Sequence, residues 1–464
     1  MNIYNTLARK KQPLKPLKPG HISLYTCGPT VYHYYHIGNL RNAVFNDTLK
    51  RVLLFNGLRI DHIMNITDVG HLSSDADEGD DKLQSRANEE GKTVWEVAEF
   101  YTKVFKSDMQ SLRVLPPVRY VKATDTIECQ IEMIKTLLEK GFAYQANQAI
   151  YFDVTKSPDY GKLSGQPLSE KETGARSEVV TDAEKRHPAD FALWFFTVGH
   201  FADHTMRWNS PWGEGFPGWH LECSAIIEQE FGDTIDIHTG GVDHIGTHHT
   251  NEIAQSEAAH NGAPLATYWV HNEHLMVDGR KMSKSLNNSY TLSEVVGRGY
   301  TPAALRLLYL QAHYRTQQNF TWESLDAATQ FLARLRAWAD AQFQTGAATL
   351  SDDDFALFYG RFNEALADDL ATPQALAVVS ELVDTMEQDN RLPTTEQVAQ
   401  IDAALGLGLA ERTDIIPEQK AVLAEREGAR KAEDYAAADR ARKQLRAAGL
   451  EIEDTPYGPR WRRL

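Results

Sequence analysis

The sequence has few cysteines and no long apolar runs, and both absences limit what the protein can be. Its 464 residues include only three cysteines, Cys27, Cys129 and Cys223, too few for the disulfide framework of a secreted scaffold. No segment approaches about 18 consecutive apolar residues, the length of a membrane-spanning helix. The N-terminal segment contains no apolar run of signal-peptide length. We therefore expect a cytoplasmic protein with no membrane partner.

Positive charge is also in short supply. The chain has 48 Lys+Arg against 64 Asp+Glu, which gives a formal net charge of −16 at pH 7. This excess argues against indiscriminate binding of nucleic acid, because the phosphate backbone would be repelled at long range. A specific RNA contact needs only a local basic surface. Residues 418–464 provide one, since their 11 Lys+Arg exceed their 9 Asp+Glu.

The stretch from Thr26 to Asn39, TCGPTVYHYYHIGN, predicts the end of a strand, a turn and the start of a helix. Apolar strand residues precede it, glycine and proline interrupt the chain, and apolar residues then recur at helical spacing from Leu40 to Leu53. A helix that begins at such a turn presents backbone N–H groups that suit a phosphate. The histidines there can add charge or hydrogen bonds.

A second signature, KMSKS at Lys281–Ser285, lies in a polar loop far downstream. An HIGH-like element followed by KMSKS is typical of class I aminoacyl-tRNA synthetases, which this chain resembles. The segments NITD (65–68), SPWGEGFPGWHLECSA (210–225) and DIHTGGVDHIGTHHTNEIAQSE (236–257) occur in the order found in cysteinyl-tRNA synthetases. The match covers nearly the whole chain, which is identified as a member of that family.

The predicted fold class is α/β: a Rossmann-type nucleotide-binding catalytic domain with a connective insertion, followed by a helical bundle and a small C-terminal domain. A soluble chain of this length and composition suits several domains. The predicted segments are 1–115 and 206–290 for the two halves of the catalytic domain, 116–205 for the insertion, 291–345 for stem-contact helices, 346–410 for the bundle and 411–464 for the anticodon-binding region.

The resemblance implies that L-cysteine is activated by ATP, with Mg²⁺, and then transferred to the 3′ end of tRNA(Cys). The residues that match the catalytic signatures are His36, Asn39, Lys281 and Lys284. The residues that match ATP-binding positions are His33, His36, Gly38, Asn39, Asp243 and Lys284, and those of the amino-acid pocket are Thr67, Trp219 and His238. Asn39 departs from the second histidine of HIGH, so it can donate hydrogen bonds but cannot be cationic.

Cys27, Cys223, His248 and Glu252 are chemically a zinc set, because thiolate and imidazole ligands suit Zn²⁺ better than Mg²⁺ or Ca²⁺. His248 and Glu252 are four apart and so share one helical face. The spacing is unlike a zinc finger, and the residues alone leave the site open. The resemblance implies one Zn²⁺ per chain at these positions, with His249 as a competing ligand. The family's HHENE becomes HHTNE here, with Thr250 in place of an acid.

Two charged segments allow a second interpretation. The acidic segment 69–81 predicts a surface loop, and it lacks the ligand order of a calcium site. The C-terminal basic pair of helices is either a solvated face or an RNA-binding surface. The residues predicted to contact an RNA loop are Arg426, Arg430, Lys431, Arg440, Arg442, Lys443, Arg446 and Trp461.

Two other functions remain open on the sequence. One is a zinc-dependent ligase that transfers cysteine to a sugar amine, as in mycothiol synthesis, although such relatives generally lack a C-terminal anticodon-binding part. The other is an inactive paralogue that binds RNA or senses zinc, against which the KMSKS and HIGN signatures argue. We expect a monomer whose partners are tRNA(Cys), L-cysteine and ATP.

Overall fold

The computed structural model describes residues 1–69, 72–74, 78–166, 168, 184–282, 288–455 and 458–464. This described chain divides into two compact units, Met1–Val295 with Tyr314–Asn319 and Val296–His313 with Phe320–Leu464. No helix in these ranges is long and apolar enough to pass through a lipid bilayer.

The strands of the described chain are β1 (Asn2–Asn5), β2 (Lys10–Pro13), β3 (His21–Thr26), β4 (Arg59–Ile66), β5 (Leu72–Ser74), β6 (Glu78–Asp81), β7 (Arg119–Lys122), β8 (Ala143–Gln145), β9 (Ala149–Phe152), β10 (Phe191–Phe196), β11 (Trp208–Ser210), β12 (Gly213–Pro217), β13 (Ile235–Gly241), β14 (Ala266–Asn272), β15 (Leu275–Val277), β16 (Arg280–Lys281), β17 (Gln318–Phe320), β18 (Ala348–Thr349), β19 (Arg391–Leu392), β20 (Leu450–Thr455) and β21 (Gly458–Arg463).

Its α-helices are α1 (Ile37–Phe55), α2 (Lys82–Glu90), α3 (Val94–Ser111), α4 (Ile127–Glu139), α5 (Trp219–Phe231), α6 (Asp243–Gly246), α7 (His248–Ala259), α8 (Leu292–Gly297), α9 (Pro302–Leu310), α10 (Trp322–Asp340), α11 (Asp352–Ala367), α12 (Thr372–Gln388), α13 (Thr395–Leu405), α14 (Pro417–Lys431) and α15 (Tyr435–Ala447).

A parallel sheet in the order β14-β13-β3-β4-β7 forms the centre of the first unit. Its inner strands are apolar and buried, as a parallel sheet covered by helices requires; Leu24 of β3 lies opposite Ile237 of β13, and both are fully buried. This arrangement confirms the predicted Rossmann-type α/β class. Ligands of such sheets bind at the carboxyl ends of the strands, near the point where the strand order reverses. That point lies between β3 and β13.

Two glycines end β13. Gly240 and Gly241 belong to the strand and pair with the end of β14. A Cβ atom on Gly240 would lie 2.6 Å from His244 Nδ1 and equally close to His249 Cε1. Glycine is therefore needed here for the close approach of two histidines to the strand rather than for a change of chain direction.

An antiparallel sheet in the order β11-β12-β10-β9-β8 lies between β7 and α5 in the sequence. Helix α4 supplies part of its apolar core, with Ile134 and Leu137 fully buried together with Phe152 and Trp194. This element coincides with the segment assigned to the connective insertion, although the sheet extends to Pro217. Most of the charged loop expected in the insertion, residues 169–183, lies outside the described residues.

The predicted acidic surface loop is partly structured. Strands β5 and β6 form a short antiparallel pair within it, and its residues 70–71 and 75–77 lie outside the described residues. The prediction of a simple loop is therefore wrong for the described part, because the segment pairs with itself.

The second unit is mainly helical, with α9 to α13 followed by the helical pair α14 and α15 and the hairpin β20-β21. Several of its helices begin at capping residues: Thr301 caps α9, with Pro302 in the first turn. Thr321 and Thr394 form capping boxes at α10 and α13. The prediction of a helical bundle after the catalytic domain is confirmed.

Two of the residues predicted to contact RNA are instead part of the C-terminal core. Trp461 is 5% exposed and packs with Leu445, Leu450 and Ile452. Arg426 is 2% exposed and donates a hydrogen bond of 2.7 Å to Asp454. Their predicted RNA contact is wrong in this structure, because an indole or guanidinium buried in this core cannot reach a base. The exposed members of the set are Arg430, Lys431, Arg440, Arg442, Lys443 and Arg446.

Candidate active site

The candidate site lies where β3, β4 and β13 end. Cys27 follows β3, Thr67 follows β4, and His238 lies within β13. Helices α5 and α7 carry the other predicted metal ligands toward the same edge. The site therefore combines residues from both halves of the predicted catalytic domain.

The four predicted metal ligands form one buried cluster. The ligand atoms of Cys27, Cys223, His248 and Glu252 all lie within 4.8 Å of one another. Cys223 Sγ is 3.6 Å from His248 Nε2, and His248 Nε2 is 2.7 Å from Glu252 Oε1. The four-residue spacing on α7 thus places both ligands on one face, as the sequence predicts.

The donor set and its geometry suit a zinc ion. Glu252 Oε1 is buried and lies 2.7 Å from His248 Nε2. Two sulfurs, one imidazole nitrogen and one carboxylate oxygen are the ligand types that Zn²⁺ takes in proteins.

The charges of the cluster also suit a cation. Burial opposes ionisation of Cys27, but a hydrogen bond with Cys223 and the nearby His249 outweigh burial and hold the pKa of the Cys27 thiol well below its usual value. Burial raises the pKa of Cys223. Burial also opposes ionisation of Glu252, but His238 and His248 hold its pKa well below the usual value of a carboxyl group. Burial opposes protonation of His248, but Glu252 outweighs burial and raises the pKa of His248 to about 10. Cys27 and Glu252 are therefore negative, and a cation bound here would replace the proton that His248 carries.

A second set of donors overlaps the first. The ligand atoms of Cys27, His238, His249 and Glu252 also lie within 4.8 Å of one another. His249 Nε2 is 3.3 Å from Cys27 Sγ, and His238 Nε2 is 2.7 Å from Glu252 Oε2. The geometry thus keeps His249 as a competing ligand, and it adds His238 as another.

Further histidines that the sequence analysis missed surround the cluster. His220 Nδ1 lies 3.0 Å from His248 Nδ1, and His271 Nε2 lies 2.8 Å from His249 Nδ1. His244 also packs against His248 and His249, with ring centroids 5.2 and 5.0 Å apart. His220 and His244 lie inside motifs quoted above, which was a usable signal. No local pattern marks His271, because β14 brings it to the site.

The start of α1 differs from the prediction of a free phosphate-facing helix end. His36 is the N-cap residue, and its Nδ1 accepts hydrogen bonds from Gly38 N and Asn39 N, both at 3.2 Å. Asn39 completes a capping box, since its Oδ1 accepts from His36 N at 3.2 Å. Ile37 N donates to Tyr290 O at 2.8 Å. The first N–H groups of the helix are therefore already used.

This cap defines the chemical state of His36. An Nδ1 atom that accepts two N–H groups carries no proton, so the ring presents Nε2–H. Burial lowers the pKa of His36; a backbone hydrogen bond and Asp243 partly oppose this effect, and His33 adds to it. The ring is thus a neutral hydrogen-bond donor. His33 and Asp243, which both influence this pKa, are two of the predicted ATP-binding residues.

The described part of KMSKS meets the HIGN element. A Cβ atom on Gly38 would lie 2.2 Å from Met282 Cε, so the two signatures are in direct contact. Lys281 ends β16 and is exposed. Lys284 lies outside the described residues.

The predicted amino-acid pocket borders the cluster. Trp219 stacks on His248 with ring centroids 4.2 Å apart. Thr67 Oγ1 donates to Glu222 Oε2 at 2.8 Å, and Glu222 is next to Cys223 in α5. His238, the third predicted pocket residue, contacts Glu252. The three residues therefore surround the proposed ligands, and Glu222 is a neighbour that the sequence analysis missed.

Three family models match the chain, and together they cover most of it. Residues 13–330 match the class I (C) tRNA synthetase catalytic domain, residues 361–410 the DALR domain, and residues 412–462 the cysteinyl-tRNA ligase anticodon binding domain.

Among curated proteins, cysteine–tRNA ligase 1 of Burkholderia lata is 44% identical over 469 residues, which is 99% of this chain and 96% of that protein. A cysteine–tRNA ligase of Thermus thermophilus is 42% identical over 481 residues, 99% of this chain and 98% of that protein.

Solved structures share the fold at low identity. The methionyl-tRNA synthetase of Mycobacterium tuberculosis with methionyl-adenylate has a TM-score of 0.59 at 13% identity, covering 84% of this chain and 89% of that one. The LeuRS of Agrobacterium radiobacter K84 in a ternary complex has a TM-score of 0.60 at 12% identity, covering 86% and 83%.

Proposed function

This chain belongs to the cysteine–tRNA ligases among the class I aminoacyl-tRNA synthetases, and from that premise we propose that it selects cysteine at the buried cluster of Cys27, Cys223, His248 and Glu252. The enzyme is an ATP-dependent ligase that attaches cysteine to tRNA. The observation that carries the proposal about the site is the mutual approach of four ligand atoms within 4.8 Å.

In the first step the carboxylate oxygen of cysteine attacks the α-phosphorus of ATP. The bond to the bridging oxygen breaks, and pyrophosphate leaves with that electron pair. Such a transfer depends on position and on neutralising the charge that develops. His36 would donate a hydrogen bond through Nε2–H, whereas Lys281 and Lys284 would supply positive charge. The hydroxyl group of the terminal ribose of tRNA then attacks the acyl carbon and releases AMP.

The amino-acid pocket must separate cysteine from serine, which differs by sulfur against oxygen. A pocket that uses shape alone rejects so close an isostere only by about 10². Zinc held at the cluster would stabilise the thiolate of cysteine, whereas a serine hydroxyl is far harder to deprotonate. Thr67, Trp219 and His238 would hold the rest of the amino acid.

The nucleotide would occupy the neighbouring edge of the sheet. Asp243 would bind the ATP ribose, and His33, Gly38 and Asn39 would border the phosphates, with ATP bound as its magnesium complex. Asn39 serves the cap of α1, so the HIGN variant keeps the helix start ordered without a second imidazole. This supports Asn39 as a structural rather than a charged participant.

The tRNA would extend from this site to the second unit. The exposed cations of the C-terminal helical pair, among them Arg440, Arg442 and Lys443, are our proposed anticodon-side contacts. Residues 116–205 would help cover the acceptor end, and residues 291–345 would contact the stem. We propose that the enzyme acts as a monomer. The match of residues 412–462 to an anticodon binding domain argues against transfer to a sugar amine.

Metal content and substrate selectivity test the cluster. We expect zinc by atomic emission in the wild type and its loss in Cys223→Ser, with a fall in the preference for cysteine over serine in pyrophosphate exchange. Cys129→Ser is the matched control, because Cys129 lies on α4 outside the cluster. Its thiol donates a hydrogen bond of 3.0 Å to Gln229 Oε1. A Cys223→Ser protein without zinc that still prefers cysteine as strongly as the wild type would contradict the proposal.

A second pair of variants decides between the two donor sets. If His248 is the ligand, His248→Gln loses zinc and His249→Gln retains it. The opposite result would assign the ion to the set with His238 and His249. If both variants retain zinc equally, neither imidazole is an essential ligand.

A further inference from the structure

A buried relay of hydrogen bonds connects the two cysteine-bearing segments of the site. Gly28 N donates to Asn65 Oδ1 at 2.7 Å, and Asn65 Nδ2 donates to Thr67 Oγ1 at 2.9 Å. Thr67 Oγ1 then donates to Glu222 Oε2 at 2.8 Å. Asn65, Thr67 and Glu222 are 2%, 3% and 0% exposed. Water therefore has little access to compete with these bonds.

The direction of this relay is fixed at its first member. A backbone N–H can only donate, so the Asn65 atom that faces Gly28 N must be the carbonyl oxygen. The amide nitrogen of Asn65 then faces Thr67 and donates to it. The Thr67 proton then points toward Glu222 Oε2. Burial raises the pKa of the Glu222 carboxyl, but a neutral carboxyl still accepts through its carbonyl oxygen.

One bonding position of Thr67 is left. A hydroxyl group has one proton and two lone pairs. The proton is used by Glu222 and one lone pair by Asn65, so the described neighbours leave one lone pair, which can only accept. A ligand atom at this position must be a donor. The α-ammonium group of an amino acid has three N–H donors and fits this requirement.

The relay also lies beside the proposed thiol-binding cluster. Gly28 follows Cys27, Glu222 precedes Cys223, and Thr67 N donates to Pro29 O at 2.9 Å. The amino group of cysteine is separated from its sulfur by only two carbons, so both must bind within one small pocket.

We propose that Glu222 is a positioning residue: by accepting the Thr67 proton, it presents the Thr67 hydroxyl oxygen as an acceptor for the α-ammonium group of cysteine. This inference rests on the proposed function of Thr67 as a pocket residue. It assigns to Glu222 the discrimination of an amine-bearing substrate, a property separate from the choice of sulfur over oxygen.

Binding of two ligands tests the role of Glu222. Cysteine has the ammonium group, and 3-mercaptopropanoate has the same thiol and carboxylate without it. We expect Glu222→Met, which removes the acceptor, to weaken cysteine binding by about tenfold to a hundredfold. The Kd of 3-mercaptopropanoate should stay within twofold. Glu222→Gln should recover most of the loss, because its amide oxygen can still accept the Thr67 proton.

Further variants separate positioning from a structural effect. In Thr67→Val, the Glu222→Met change should add little to the Kd of cysteine, since Glu222 acts through the Thr67 hydroxyl. Asp190→Asn is the control, because Asp190 is a buried carboxyl that accepts from Tyr144 OH at 2.7 Å in the insertion sheet. It should leave both Kd values within twofold. If the Glu222→Met protein does not fold, the Kd values of the two ligands can be compared in the Thr67→Val protein instead.

Equal weakening of both ligands in Glu222→Met, or a Glu222→Gln protein that binds cysteine as poorly as Glu222→Met, would overturn the inference. Chelation of the metal tests the proposed function separately. It should weaken both thiol ligands together in the wild type. If chelation leaves the binding of both ligands unchanged, the proposed selection of the thiolate by zinc is contradicted. The role of Glu222 is then still tested by the difference in Kd between cysteine and 3-mercaptopropanoate.

Discussion

Gly38 and Met282 face each other so closely that a Cβ atom on Gly38 would lie 2.2 Å from Met282 Cε and 3.1 Å from the His36 ring. Gly38 belongs to HIGN and Met282 to KMSKS. The absence of a side chain at position 38 thus allows the two signatures to meet. Because the end of the methionine side chain can move, a larger residue at position 38 would displace Met282 rather than unfold the protein.

Gly38→Ala should therefore retain its fold and slow cysteine-dependent pyrophosphate exchange, by roughly tenfold to a hundredfold, since small displacements of positioning groups have effects of this size. Circular dichroism would check the fold. Gly360→Ala is the control, because nothing lies within 4 Å of a Cβ atom there. If adding Met282→Ala to Gly38→Ala recovers no activity, a steric clash with Met282 is not the cause of the slower exchange.

Lys284→Ala should slow adenylate formation by roughly two to three powers of ten, as expected for the loss of one preorganised charge contact. The measurement is pyrophosphate exchange at saturating cysteine and ATP. Lys135→Ala serves as the control, since Lys135 is paired with Glu132 on the surface of α4. Exchange within twofold of the wild type in Lys284→Ala would remove this lysine from the proposed mechanism.

Trp461→Ala should destabilise the C-terminal region by about 3–5 kcal/mol, the usual effect of deleting a buried aromatic side chain. Denaturant unfolding followed by fluorescence would measure it. Arg442→Ala, at an exposed position on α15, should leave stability unchanged and weaken tRNA binding with a smaller salt dependence. If the Trp461→Ala protein is as stable as the wild type but selectively loses tRNA binding, Trp461 contacts RNA after all.

Truncation after Gly408 should preserve cysteine activation and greatly weaken charging of tRNA, because the two steps use different parts of the chain. The truncation removes Arg412 and Arg463, which both pair with the buried carboxylate of Asp340. It should therefore be combined with Asp340→Asn, so that no unpaired buried charge remains. The full-length Asp340→Asn protein is the control. Normal charging by the truncated protein would show that the tail is dispensable for tRNA.

The sequence predicted the sheet and the bundle, because its motifs fall at strand ends and helix starts with fixed geometry. The meeting of Cys27 with Cys223 was implied only by the family resemblance. It did not single out His271 or Glu222. Each contacts a partner far away in the chain, His249 on α7 and Thr67 after β4, and no periodicity encodes such pairing.

The same limit explains the errors. A run of charged residues with a terminal tryptophan resembles an exposed RNA-binding surface, but Arg426 pairs with Asp454 on a hairpin that folds back over α14. Likewise, the N–H groups at the start of α1 were expected to be free. A histidine at the N-cap position can accept from them, and whether it does depends on its rotamer rather than on its place in the sequence.

The adjacency of β3 and β13 also determines when the enzyme can assemble on the ribosome. β3 pairs on one side with β4, which follows closely, but its other neighbour begins only at Ile235. At common rates of translation this partner emerges roughly 10–40 s later. Throughout that interval one edge of β3 remains open for pairing with other chains. Cys223, His248 and Glu252, the residues that cluster with Cys27, have not yet been synthesised for most of it. The nascent chain is therefore most exposed to aggregation, and its thiol to oxidation, before α7 leaves the exit tunnel.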